Sequence, residues 1–204
     1  MLPRSRVACA VLSGAAIFLS NLLFAVSGAA QSADWPIRRL HAPSSSLLRL
    51  SASDQAIAMK LLRPQLGPLF QGDATSLLEQ QIRSFRAERV NLGGVPALAL
   101  SPSAGELCGS NGNCSFWIID LAHRRILLRA EAVQTFAIET AKPHGMPNVI
   151  TSTSNSGSQS EMIRWHFLTA FYERQSCATL SNADDSGAPL NPPKITPHPC
   201  SEGN

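Results

Sequence analysis

Cys108-Gly109-Ser110-Asn111-Gly112-Asn113-Cys114 runs directly into Ser115-Phe116-Trp117-Ile118-Ile119-Asp120. Two cysteines bracket a loop of glycine, asparagine and serine, and the loop feeds an apolar run with strand character. Gly109, Asn111, Gly112 and Asn113 tolerate positive φ, so the chain can double back between the two sulfurs. A Cys-x5-Cys spacing is too wide for a redox or zinc Cys-x-x-Cys pair and lacks the following His of a c-type haem site. The stretch predicts a disulfide-closed turn that opens a central strand. Closing a loop of about seven residues stabilises a fold by roughly 2–2.5 kcal/mol on chain-entropy grounds. The competing reading is a nest of backbone N–H groups that holds an anion. No Lys or Arg lies inside the loop to support an anion, so the structural reading is preferred.

Outward from this loop the chain is a series of short runs bounded by Gly, Pro, Asn or Ser. Residues 86–92, 97–100, 116–120, 125–130, 135–140, 148–152, 162–168 and 171–174 each read as a strand. No long helix separates them, which excludes βαβ crossovers and leaves an antiparallel meander. Trp165 and Phe167 are two apart and share a face with the core, with Tyr172 on the next strand. Upstream, Ser53-Asp54 precedes Ile57, Met59, Leu61 and Leu62 before Pro64, a short capped helix stopped by proline. A second helix is predicted over 74–84, where Ser76-Leu77-Leu78-Glu79 fits a capping box with Asp73 just upstream. Its Leu78, Ile82 and Phe85 fall on one face, which predicts core packing. The expected fold class is α+β: one antiparallel meander sheet with one or two short N-terminal helices packed on it.

The amino terminus has a basic start (Arg4, Arg6), an uncharged apolar run from Val7 and small residues at Ser27-Gly28-Ala29-Ala30. That order predicts a secretory signal peptide over 1–30, cut before Gln31; an uncleaved membrane anchor is the alternative. Cys9 lacks a lipid-attachment pattern and would leave with the leader. Loss of Arg4 and Arg6 lowers the net charge from +3 to +1. The remaining basic pairs, Arg38-Arg39 and Arg124-Arg125, have no nearby aromatics for base stacking, so nucleic acid is not an expected partner. Residues 31–50 read as a linker with one docked piece, 51–180 as a single domain, and 181–204, with five prolines, as a disordered tail.

Four cysteines remain after the leader: Cys108, Cys114, Cys177 and Cys200. An even count in an exported chain reads as disulfides, and Cys108–Cys114 with Cys177–Cys200 is the favoured pairing of the three possible. Zinc bound by the four is the runner-up, and the wide Cys177–Cys200 spacing argues against it.

Three features resemble a group of uncharacterised exported bacterial proteins. They are Val90-Asn91-Leu92-Gly93-Gly94-Val95-Pro96-Ala97-Leu98, the element Cys108-Gly109-x-x-Gly112-Asn113-Cys114-x-x-Trp117, and Ser160-Glu161 leading into Trp165-His166-Phe167 and Tyr172. They cover residues 85–177. The resemblance implies an exported α+β domain and carries no activity with it. The first feature is similar to a calcium-binding strand–loop of secreted β proteins but lacks its acids, so calcium at Gly93-Gly94 is not expected.

The chain has no Gly-x-Ser-x-Gly, His-Glu-x-x-His, Walker or dinucleotide pattern. Its histidines, at 41, 123, 144, 166 and 198, have no second ligand at helical metal spacing. No metal or cofactor is expected, and without a Cys-x-x-Cys disulfide exchange has no support. Two functions compete. One is a non-enzymatic exported domain binding an envelope or extracellular protein or glycan through the Cys loop or the 152–160 loop. The other is a small secreted hydrolase combining a serine of 152–160 with His166 and Glu161 or Asp120.

Overall fold

In the computed structural model residues 35–69, 74–141 and 145–201 are described; the expected signal peptide with Cys9, the segment holding His144, and residues 202–204 lie outside them. Ten strands form two five-stranded antiparallel sheets, each a meander in which every strand pairs with its chain neighbours. The first sheet holds β1 (Ser45–Ser46), β2 (Arg86–Leu92), β3 (Val95–Ser101), β4 (Cys114–Asp120) and β5 (Arg125–Val133). The second holds β6 (Thr135–Ile138), β7 (Val149–Ser154), β8 (Gln159–Phe167), β9 (Tyr172–Ala183) and β10 (Pro189–His198). The expected mixture of sheet and helix is present, and the eight expected strands all form. The single sheet is corrected to two. Only Gln134 separates β5 from β6, and the change of sheet follows a bulge at Glu131-Ala132, where Ala132 has φ 57°. An extra residue bends a strand and raises its twist, which redirects the chain without a loop.

Side-chain alternation assigns the layers. On β3 and β4, Ala97, Ala99, Phe116 and Ile118 face the second sheet and meet Phe136, Val149, Trp165, Phe167 and Tyr172 in the central core. Trp165 and Phe167 share that face, as their spacing requires. Trp165 donates to Thr151 Oγ1 at 2.8 Å and Tyr172 to the Pro147 carbonyl at 2.8 Å, so both buried polar tips are satisfied. The intervening Leu98, Leu100, Trp117 and Ile119 point the other way, toward the helices.

Helix α1 (Ala52–Leu66) buries Ala58, Leu62 and Leu66, and α2 (Ala74–Arg83) adds Leu78 and Ile82, with Phe85 just beyond it. The Leu78/Ile82/Phe85 stripe is core, as expected. Phe85 stacks on Trp117 at 5.6 Å, and the Trp117 indole N–H donates to Gln65 Oε1 at 3.2 Å. Two details differ from expectation. Ser51 caps α1 by accepting from the Asp54 amide at 3.2 Å, and the helix runs through Pro64 to Leu66. Proline there forfeits one backbone bond in the last turn, and burial of Leu62 and Leu66 on either side offsets it. Helix α2 begins at Ala74, as expected, with Ser76 inside its first turn.

Both ends of the domain are more ordered than composition predicts. In the expected linker, β1 pairs with β2, Leu47 is buried, and Trp35 packs on the outer face of the second sheet with Ile150, Met162 and Ala178. The Arg164 guanidinium lies 4.5 Å over the Trp35 ring and pairs with Glu139 at 2.8 Å. The expected disordered tail is corrected as well. Lys194–His198 pairs in register with β9, and Cys200 is bonded to Cys177. An outermost strand tolerates prolines because half of its N–H groups face away from its partner. All the described residues belong to one compact unit. Among them no helix is long and apolar enough to cross a membrane.

Candidate functional site

Both expected disulfides are present, Cys108–Cys114 and Cys177–Cys200. With all four sulfurs in bonds, a four-cysteine zinc site is ruled out. The first bridge joins residues that also form a β-bridge, so the turn leads straight into β4. Inside it, Gly109 N–H donates to the Asn113 carbonyl at 2.7 Å and Gly112 N–H to the Gly109 carbonyl at 3.0 Å. Those two amides hold the loop's own shape, so they are not directed at an anion. Gly112 has φ 78°, which an L side chain would adopt only with strain.

The loop is joined to the other candidate surface. Asn113 Nδ2 donates to the Ser154 carbonyl at 2.8 Å while its Oδ1 accepts from the Ser154 amide at 2.9 Å. Asn111 Nδ2 donates to the same carbonyl at 2.9 Å. The serine-rich segment expected as a solvated loop is a tight hairpin. Only 155–158 leave the β7 and β8 strands, and Ser156 Oγ accepts from the Gln159 amide at 3.1 Å. Cys loop and β7–β8 hairpin therefore form one continuous, rigid end of the sandwich.

Beside this end lies a cleft of about 370 Å³. Arg86, Ser101, Ser103, Gly105, Gly112 and Gln134 are among the residues around it. Arg86 opens β2 and sits in register between Ser46 and Ser101. It is the one charged side chain among the described lining residues, it is exposed, and no hydrogen bond or ion pair engages it there. The cleft thus offers one unengaged cation, several hydroxyls and an amide. None of its described lining residues is aromatic.

The hydrolase constellation does not assemble. His166 pairs across the ladder with Glu173 at the far end of β8 from Ser160 and Glu161, which are about 20 Å and 17 Å away at strand rise. Glu161 accepts instead from His198 at 3.1 Å. Ser152 is buried, and its carbonyl accepts from the Gln134 amide at 2.7 Å. Asp120, fully buried at the end of β4, accepts from the Ala122 and His123 amides at 3.0 and 3.1 Å and from His123 Nδ1 at 2.7 Å; Arg125 approaches it at 3.4 Å. Burial acts to raise its pKa, but the His123 amide and ring and the Arg125 guanidinium prevail and hold it below the usual value.

Sequence reasoning located the Cys loop and the 152–160 segment but not their connection. It missed Arg86, which reads as an ordinary strand-end cation. Asp120-x-x-His123 was open to detection, because an acid at a strand end followed by a four-residue turn is a common turn signal. Comparison with protein-family models, curated proteins and solved structures found no match to this chain.

Proposed function

We propose that this is an exported binding domain, working in the periplasm or outside the cell, whose partner is an envelope or extracellular protein. The partner docks on the joined Cys loop and β7–β8 hairpin and sets a carboxylate against Arg86. The observation that carries this reading is the three-bond suture between Asn111, Asn113 and Ser154 beside a cleft with an unengaged cation. A loop held by a disulfide and two side chains enters a complex with little ordering cost. A guanidinium suits the planar, two-pronged geometry of a carboxylate. The two disulfides suit an oxidising compartment. Stacking of sugar rings on aromatic side chains has no place in this cleft, which favours a polypeptide over a glycan.

A photo-crosslinking residue at Ser110, introduced in the natural host, tests the reading. The expected result is one discrete adduct that disappears with Arg86→Ala while the melting temperature is unchanged. An absent adduct, or one indifferent to Arg86, would defeat it. Mass measurement of the purified protein checks export independently: a chain beginning at Gln31 with both bridges is expected.

A further inference from the structure

A second cleft, of about 380 Å³, is formed by Ser53, Ala56, Ile57, Lys60 and Leu61 of α1 together with Arg124 of the β4–β5 turn. The five helical positions follow the spacing of a single helix stripe, adjacent to the Ala58/Leu62/Leu66 stripe that enters the core. Ile57 and Leu61 are half-buried against that core and supply an apolar floor. Lys60 and Arg124 are exposed, and neither has a hydrogen-bond or ion-pair partner among the described residues. No acid lines the cleft. Asp54 of the same helix is buried and paired with Arg89, and Asp120 of the same turn is taken up by His123 and Arg125.

The backbone supplies an independent observation. Arg124 has φ 50°, one of two non-glycine residues with positive φ among those described. Glycine or asparagine fills such a turn position without the steric cost an arginine carries. Non-glycine residues held in this region cluster at functional sites. Here the strained position is the one that brings a guanidinium to the rim of an apolar groove.

From this we infer that the α1/β4–β5 groove binds a free alkyl carboxylate, a fatty-acid anion whose chain lies on Ala56, Ile57 and Leu61 and whose headgroup sits between Lys60 and Arg124. The volume falls in the range of small-molecule sites. Two cations over an apolar floor match a ligand that is anionic at one end and apolar along the rest. The inference does not depend on the partner site at the Cys loop.

Dodecanoate, below its micellar concentration, is the probe, titrated into the full disulfide-bonded protein by calorimetry. Dodecanol and dodecyltrimethylammonium serve as neutral and cationic comparisons. Saturable one-to-one binding of dodecanoate is expected, with both comparisons at least tenfold weaker. Lys60→Gln and Arg124→Gly should each weaken it fivefold or more. Arg124→Gly should do so while leaving the melting temperature equal or higher, since it relieves the turn. Equal binding of all three amphiphiles, no saturable binding, or full affinity in Arg124→Gly would overturn the inference. So would a lower melting temperature for Arg124→Gly, which would make the arginine a structural part of the turn. Binding to phosphatidylglycerol vesicles without binding of free dodecanoate would overturn it too, and assign the groove to a lipid surface.

Discussion

Asn113 shows how much one side chain contributes to this end of the molecule. It is buried, and it pairs with both backbone groups of Ser154, 41 residues away in sequence. Asn113→Ala takes the acceptor from the Ser154 amide and leaves the carbonyl to Asn111, and we expect a loss of about 1–3 kcal/mol. Urea unfolding would measure it, and hydrogen exchange should show the Ser154 amide losing protection first. Asp120 is the residue for acid. Its folded pKa lies below the unfolded value of about 3.9, so its stabilisation is present above that value and lost as pH falls through the folded one. Asp120→Asn should therefore be less stable at pH 7 and show a shallower decline below about pH 4. His41 and His198 have the opposite sign. Burial lowers the His41 pKa, but the Arg39 carbonyl and Glu88 together outweigh it. For His198 the Pro199 carbonyl raises it most, burial lowers it, and Glu161 raises it further. Both end above the unfolded value of about 6.5. Their stabilisation is complete below that pH and is lost as pH rises through the folded values. The double variant His41→Gln/His198→Gln should lack the wild type's decline in melting temperature as pH rises above about 6.5.

Among the elements, β10 departs most from expectation. Its prolines, exposed polar residues and single inward apolar side chain, Ile195, give no strand signal by themselves. Its order comes from β9 and from Cys200, neither of which composition reveals. Breaking the bridge with Cys177→Ser/Cys200→Ser should cost about 3.5 kcal/mol on loop-entropy grounds for its length, with exchange protection lost over 189–198 before the rest of the domain. The inner strands were readable for the converse reason. Each is a short run of apolar or alternating residues between turn formers, so β2 through β8 could be placed within a few residues of their ends, whereas β9 runs on to Ala183, well past the expected 174. Trp35 was not readable, because a docked segment too short for any period carries no pattern. For the site, the sequence identified Asn111 and Asn113 as turn formers, which they are. That their amides also span to another hairpin is a tertiary fact with no local trace. Arg86 and Arg124 were visible as cations but not as members of clefts.

At the scale of the whole described domain, four layers follow one another: helices, first sheet, second sheet and the Trp35 segment, with an apolar cluster in each gap. The expectation of a single sheet failed at one residue, Ala132, where a bulge turns what reads as a continuous meander into two packed halves. The two disulfides fit the same serial plan. Cys108 joins Cys114 and Cys177 joins Cys200, so the four cysteines of this domain are bonded as consecutive pairs along the chain. If the chain is exported as proposed, it emerges amino end first from a translocation pore and presents them in that order. The first pair could close before the third thiol appears. An oxidant acting on thiols as they arrive therefore produces the native isomer, and no enzyme is needed to exchange wrong bonds for right ones. In a host lacking disulfide isomerase the yield of correctly bridged protein should match that of the wild-type host, whereas loss of the oxidase should abolish it.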